Sequence, residues 1–167
     1  MSIDFSQLAI QSFCFRGFGE NSEVIKALKA CGCDAVELSA VHADFNDPDG
    51  FSAIIDQYHG AGIDIISIGV EAMGNNEAAE RKRFEFVKQC GAGHMSVDFD
   101  PDSIPASYRT AERLAEEYDI TLGIHNHGGR HWLGSSRMLA HVFANTSERI
   151  GLCLDTAWAL DSGEDPV

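Results

Sequence analysis

The sequence predicts an α/β fold, a (β/α)8 barrel of which about six βα units are present, and three observations predict it. Short β-branched or apolar runs alternate with amphipathic helical patterns from end to end. The ends of the six runs recur at roughly 25 to 32 residues, the length of one βα crossover unit. Polar residues then collect at the C-terminal end of one run after another: Arg16, Glu37, Glu71, Asp98 with Asp100, His125 with His127, and Asp155. A closed barrel gathers all six ends around one mouth, whereas an open doubly wound sheet spreads them along an edge. No Gly-x-Gly-x-x-Gly follows the first strand, and Cys14-Phe-Arg-Gly-Phe-Gly19 reads as a loop, which weakens a dinucleotide-binding fold.

Taken in order, the strands are expected at Leu8 to Phe13, Ala35 to Leu38, Ile63 to Val70, His94 to Val97, Thr121 to Asn126 and Ile150 to Leu154. The firmest helix lies between the fourth and fifth, where Ile104, Tyr108, Ala111, Leu114, Ala115 and Tyr118 fall on one helical face. Shorter stripes are Val24, Ile25, Leu28 with Cys31, then Phe51, Ile54, Ile55 with Tyr58, and Met138, Leu139, Val142 with Phe143. Asn21-Ser-Glu-Val, Asp47-Pro-Asp and Asp102-Ser-Ile-Pro supply N-cap and first-turn residues. Cys31-Gly, Ala61-Gly and Cys90-Gly supply helix stops. The chain reaches Gly163-Glu-Asp-Pro-Val167 where a helix should be starting after the sixth strand. A typical barrel runs to about 250 residues, so 1–167 is expected to be a single domain truncated at its C-terminus and inactive alone. Its unpaired first and sixth strands would invite pairing with another copy, which makes a homo-oligomer an expected outcome.

Composition narrows the function classes. The 167 residues carry 12 Lys and Arg against 26 Asp and Glu, a formal charge of −14, so a phosphate backbone finds no electrostatic footprint and anionic lipid none either. The 44% apolar content suits one core. Met1-Ser-Ile-Asp-Phe-Ser-Gln has no basic n-region or long apolar stretch, so a cytoplasmic protein is expected. Cys14, Cys31, Cys33, Cys90 and Cys153 are odd in number and mostly in apolar contexts, as for thiols in a reducing compartment, and Cys31-Gly-Cys33 lacks a second pair for zinc.

The chemistry-bearing segment is Leu122-Gly-Ile-His-Asn-His-Gly-Gly-Arg-His-Trp132, followed one unit later by Gly151-Leu-Cys-Leu-Asp-Thr-Ala-Trp158. In a strand the side-chain period is two, so His125 and His127 point to one side and Asn126 to the other. With Asp155 ending the neighbouring strand, two imidazoles and a carboxylate make a ligand mix suited to divalent Mn, Co, Fe or Zn; a hydrogen-bonded polar pair lining a cavity is the alternative. Glu37 sits in the apolar run Ala35-Val-Glu-Leu, where a carboxylate is costly unless paired or functional. It is either a partner for Arg16 or His42 across the mouth or a group acting on substrate. His131 and Trp132 follow a Gly-Gly pair, a flexible loop over the mouth suited to a sugar ring, with a packed Trp132 the alternative. Asp98 and Asp100, beside Pro101-Asp-Ser, read as caps of the fourth helix, and His59, His94 and His141 as structural or exposed.

The unit order, Val36-Glu-Leu, Ile124-His-Asn-His-Gly and Leu154-Asp-Thr-Ala-Trp with Gly163-Glu-Asp-Pro resemble the xylose-isomerase-like TIM-barrel superfamily of sugar phosphate isomerases and epimerases, which also includes inosose dehydratases and, more remotely, endonuclease IV. The resemblance covers the whole chain but about three quarters of the family domain. It implies a divalent metal (Mn, Co, Mg or Zn) held by a Glu on the fifth strand, an Asp on the sixth, a His on the seventh and a Glu on the eighth. Asp155 matches the sixth-strand ligand. His125 stands in place of the fifth-strand Glu, and Trp158 stands where endonuclease IV-like proteins carry a His. Implied further are a small carbohydrate or cyclitol substrate and proton abstraction alpha to its carbonyl through a metal-stabilised enediolate. Asp155, His125 and His127 would serve as metal ligands, His125, His127 and Glu37 as catalytic groups, and Arg16, His131 and Trp158 as substrate contacts. An inosose-dehydratase-like lyase and a non-catalytic carbohydrate-binding barrel are the alternatives.

Overall fold

In a computed structural model, which describes residues 8–166, six parallel strands form one sheet in the order β1 to β6. They are β1 (Ile10–Gln11), β2 (Ala35–Leu38), β3 (Asp64–Met73), β4 (His94–Phe99), β5 (Thr121–His125) and β6 (Ile150–Cys153). Between and after them run α1 (Asn21–Ala30), α2 (Phe51–Gly60), α3 (Glu77–Gln89), α4 (Ala106–Tyr118), α5 (Ser136–Phe143) and α6 (Thr156–Asp161). The fold is an incomplete (β/α)8 barrel.

Alternation along the strands builds it. Val36 and Leu38 of β2, Met95, Val97 and Phe99 of β4, and Leu122 and Ile124 of β5 are fully buried against the helices. The residues between them, Glu37, Ser96, Asp98, Gly123 and His125, therefore face the concave side. The helices answer with Val24 and Leu28, Phe51 and Tyr58, Phe84 and Val87, and Ala111 and Leu114. Phe86 meets Phe45 and Phe51 edge-on, and Phe99 meets Tyr108 the same way. The expected stops hold, since Gly32, Gly62 and Gly91 follow their helices with φ of 68°, 70° and 80°. No helix among the described residues is long and apolar enough to cross a membrane.

Several expectations shift. β1 is two residues long because the chain turns at once into a 3-10 segment, Ser12–Phe15, whose Ser12 Oγ accepts from Ser39 N at 2.8 Å. α1 is capped by a reciprocal Glu20–Glu23 box rather than by Asn21, whose amide instead donates to the His42 carbonyl at 2.9 Å. α4 begins at Ala106, so Ile104 lies outside it, exposed. α3 escapes the apolar-stripe reading because its buried face includes Glu80, whose Oε1 accepts from Gly74 N and Asn76 N, both at 3.0 Å. α6 already starts at Thr156, with the Asp155 carboxylate accepting from Trp158 N at 2.9 Å.

The largest difference is in β3. Its register against β4 shifts between Ile68 and Glu71, so one extra residue reverses which face each following side chain takes. Glu71 is thereby withdrawn from the mouth and buried toward α3, where Arg83 Nε pairs with it at 2.6 Å. Burial pushes the Glu71 carboxyl up, against the pull of Arg83.

β5 and β6 are tied at their ends by one side chain. Buried Asn126 accepts from Asp155 N at 2.7 Å and donates to Asp155 O at 2.9 Å. Replacing it with Ala removes the partner of two partly buried backbone groups, and Asn126→Ala is expected to lower the unfolding free energy by about 1–3 kcal/mol in urea titrations. Gly69 meets β4 so closely that an added Cβ would lie 2.5 Å from Ser96 Cβ and 2.8 Å from its carbonyl oxygen. Gly69→Ala should cost about 1–3 kcal/mol by the same measurement, and an unchanged midpoint would contradict the close packing.

Candidate metal and proton-transfer site

The concave face carries polar side chains in two levels. In the deeper one, Glu37 Oε1 accepts from Gln11 Nε2 at 2.7 Å and Oε2 from Ser96 Oγ at 2.6 Å. Both oxygens are thus engaged, and neither expected partner, Arg16 or His42, is involved: His42 Nδ1 lies 3.0 Å from Ser12 Oγ. Cys153 Sγ sits 3.5 Å from Ser96 Oγ, and burial pushes its thiol up, which keeps it protonated and unreactive. The His94 ring covers Gly123, where a Cβ would lie 2.8 Å from it. Burial lowers the pKa of His94, with Glu37 acting in the opposite direction.

Two residues further along the same strands lies the outer level. His125 Nε2 approaches Asp155 Oδ2 at 3.5 Å, longer than a formed hydrogen bond and near the separation of two ligands on one ion. The His125 and His127 ring centroids are 4.7 Å apart, and those of His127 and His131 4.8 Å. His131 Nε2 lies 3.1 Å from Asp98 Oδ2. Among the described residues, the ligand atoms that converge in a group of three or more are those of Asp98, His127 and His131, all within 4.8 Å of one another. The expected set is therefore divided: Asp155 stands with His125, while His127 stands with Asp98 and His131.

Asp98 is not a helix cap. Met95, Val97 and Phe99 take the helix side, so parity turns Asp98 inward, and Asp100 caps only the 3-10 turn Pro101–Ser103, accepting from Asp102 N at 3.0 Å, while α4 itself has no side-chain cap. That parity was available in the sequence, but the following Pro101-Asp-Ser disguised it. The Gly128-Gly129 loop is not loose either. Trp132 Nε1 donates to the Phe99 carbonyl at 3.0 Å, and Leu133 N donates to His131 Nδ1 at 3.3 Å. Trp132 is thus a packed residue.

A cleft of about 450 Å³ opens beside the outer level, lined by Gln11, Phe13, Ser39, His125, His127, Asp155 and Trp158 among others. Trp158 is 42% exposed and 6.3 Å from the His127 ring, forming a wall. Arg16 is not part of that lining: its Nη1 donates to the Phe13 carbonyl at 3.2 Å and its guanidinium lies 4.8 Å above the Phe13 ring.

The residues fit a divalent cation. Nδ1 of His125, Nδ1 of His127 and Oδ1 of Asp98 are buried with no hydrogen-bond partner, a costly state that a cation or substrate would relieve. Burial, then the neighbouring His125 and His131, push the His127 pKa down, while Asp98 and Asp155 pull it up. A neutral imidazole is the form that binds metal.

Comparison with known proteins agrees with this architecture. Among solved structures, a Sinorhizobium meliloti 1021 protein superposes with a TM-score of 0.73 at 11% identity, over 93% of this chain and 65% of that one. An uncharacterised Parabacteroides distasonis protein gives 0.68 at 21% identity, over 87% and 61%. D-psicose 3-epimerase, solved in the presence of D-fructose, gives 0.62 at 15% identity, over 86% and 61%. The chain thus spans 61% to 65% of the length of these three, and at such identities they establish the fold alone. No curated protein sequence matches the chain. The xylose isomerase-like TIM barrel family model matches residues 25–167, and the chain belongs to that family.

Proposed function

We propose that this chain forms part of a divalent-metal-dependent sugar or sugar-phosphate isomerase or epimerase, which moves a proton alpha to a carbonyl of a carbohydrate or cyclitol. The observation that carries the reading is the His125–Asp155 pair at 3.5 Å on the wall of the cleft, with three ring or carboxylate atoms nearby left unpartnered. An imidazole beside a carboxylate is a base with its orienting group. Asp155 is held from two directions, its Oδ1 by Trp158 N and its backbone by Asn126, so Oδ2 is presented to His125 in a fixed pose. His125 takes the alpha proton; a proton delivered by a second acid to the opposite face would give an epimer, and one returned to the neighbouring carbon, with the hydroxyl proton passed between the two oxygens, an isomer.

Asp155 matches the sixth-strand ligand of the family resemblance, and a metal held there would supply Lewis acidity toward the substrate carbonyl; His125, as the base, stays outside that ligand set. Trp158 offers an apolar wall to a sugar ring, and Gln11 and Ser39 offer hydroxyl partners. Glu37, both of whose oxygens accept hydrogen bonds from Gln11 and Ser96, braces the floor of the site.

Incubated in D2O with Mn or Co and a panel of ketoses and inososes, the intact protein should place deuterium on a carbon flanking the carbonyl, read by NMR. No exchange in any of them would remove the catalytic reading. Where exchange occurs, His125→Gln should slow it by about 10²–10⁴-fold. Arg16→Ala should leave it within a few-fold, because that guanidinium is not part of the cleft lining.

A further inference from the structure

The family resemblance implies a metal among the ends of the fifth to eighth strands. The three-ligand convergence in this chain lies elsewhere, on the β4 side of His127. We propose that Asp98, His127 and His131 form a divalent-cation site of their own, distinct from the His125–Asp155 pair. The inference rests on the preceding reading only in assigning His125 to proton transfer; it takes His127 away from the ligand set the resemblance implies and places it with Asp98 and His131, and the cation site stands on its own geometry.

Three observations carry it. The offered atoms of Asp98, His127 and His131 lie within 4.8 Å of one another, and the His131 Nε2 to Asp98 Oδ2 separation is 3.1 Å. Two donors sharing one ion at roughly 2.0–2.2 Å are themselves separated by about 3–3.6 Å, so this pair needs only a small outward movement to admit one. Asp98 also keeps a second oxygen, Oδ1, buried and unpartnered, and His127 keeps Nδ1 in the same condition. Carboxylate with two imidazoles suits Zn, Co or Mn better than Ca or Mg, which take mainly oxygen.

The neighbouring hydrogen bonds say what binding must change. Leu133 N donates to His131 Nδ1 at 3.3 Å, so in the free protein the ring proton sits on Nε2 and is donated to Asp98 Oδ2. That proton occupies the cation's place. On binding, it leaves Nε2 and the neutral ring carries its proton on Nδ1 instead, with the ring as ligand through Nε2. The long Leu133 bond is given up, and no net charge is lost from the imidazole. A cation at this site therefore switches the tautomer of His131 and frees the Leu133 amide.

Zinc titration of the chain carrying 15N-labelled histidine tests this. The expected result is saturable Zn binding by calorimetry, with the His131 ring passing from the Nε2–H to the Nδ1–H tautomer in 1H–15N spectra and, in a second sample labelled with 15N-leucine, the Leu133 amide resonance moving. Asp98→Asn and His131→Gln should each weaken Zn binding by at least tenfold, about the loss that removal of mere supporting residues already causes. Asp155→Asn should leave it within about threefold. Circular dichroism of each variant in EDTA controls for folding, and the tautomer reading in the unmutated chain needs no variant. Absent saturable binding, an unchanged His131 tautomer at saturation, or binding lost in Asp155→Asn and retained in Asp98→Asn would each overturn the proposal. Zinc binding as expected, with no deuterium exchange, leaves this site standing while the catalytic reading falls; exchange without it does the reverse.

Discussion

Everything at the mouth depends on the period-two alternation of a parallel strand buried on both faces. Each strand commits every second residue to the helix layer, where Val36, Leu38, Met95, Val97, Leu122 and Ile124 are fully buried. The residues between have no choice but to face inward. In a barrel that inward face is where a polar side chain can be kept, provided it finds a partner or a task. Glu37, Gln11 and Ser96 find partners in one another. Asp98, His125 and His127 find them only in part, and that incompleteness is what marks a site.

Much of this was legible. The six strands, the order of units and the helix stops followed from hydrophobic period and turn chemistry, and His125, His127 and Asp155 stood out because ligand-type residues at consecutive strand ends are uncommon in an otherwise apolar pattern. What the pattern concealed has physical causes. A one-residue irregularity in β3 is invisible to a period-two count, yet it moves Glu71 from the mouth to Arg83. Asp98 was obscured by its neighbours Asp100 and Pro101, which do form a capped turn. Arg16 had no local signal that its own 3-10 turn would absorb it against Phe13. Three-dimensional convergence on His127 from β4 and from the loop after β5 is nonlocal and has no sequence period at all.

The site is also rigid where a loop would ordinarily be expected to move. The segment after β5 carries two adjacent glycines, Gly128 and Gly129, yet His131 and Trp132 dock it onto consecutive residues of β4, Asp98 and Phe99. Asn126 holds the end of β6 in the same way. Three strand ends are thus fixed relative to one another by side chains lying within seven residues of sequence. This preorganisation keeps imidazoles and carboxylates close together without letting them pair off completely.

The Glu37–Ser96 hydrogen bond has a geometric meaning as well as a chemical one. It runs from β2 to β4 and passes over β3, where Gly69 contributes no side chain. A contact that skips a strand is a chord drawn across an arc, and it can close only when the sheet is bent. Flattening the sheet would lengthen the chord and break a short bond to a partly buried carboxylate. The curvature that turns a row of strands toward a barrel is therefore written partly in a glutamate, a serine and a glycine, and not in the apolar layer alone.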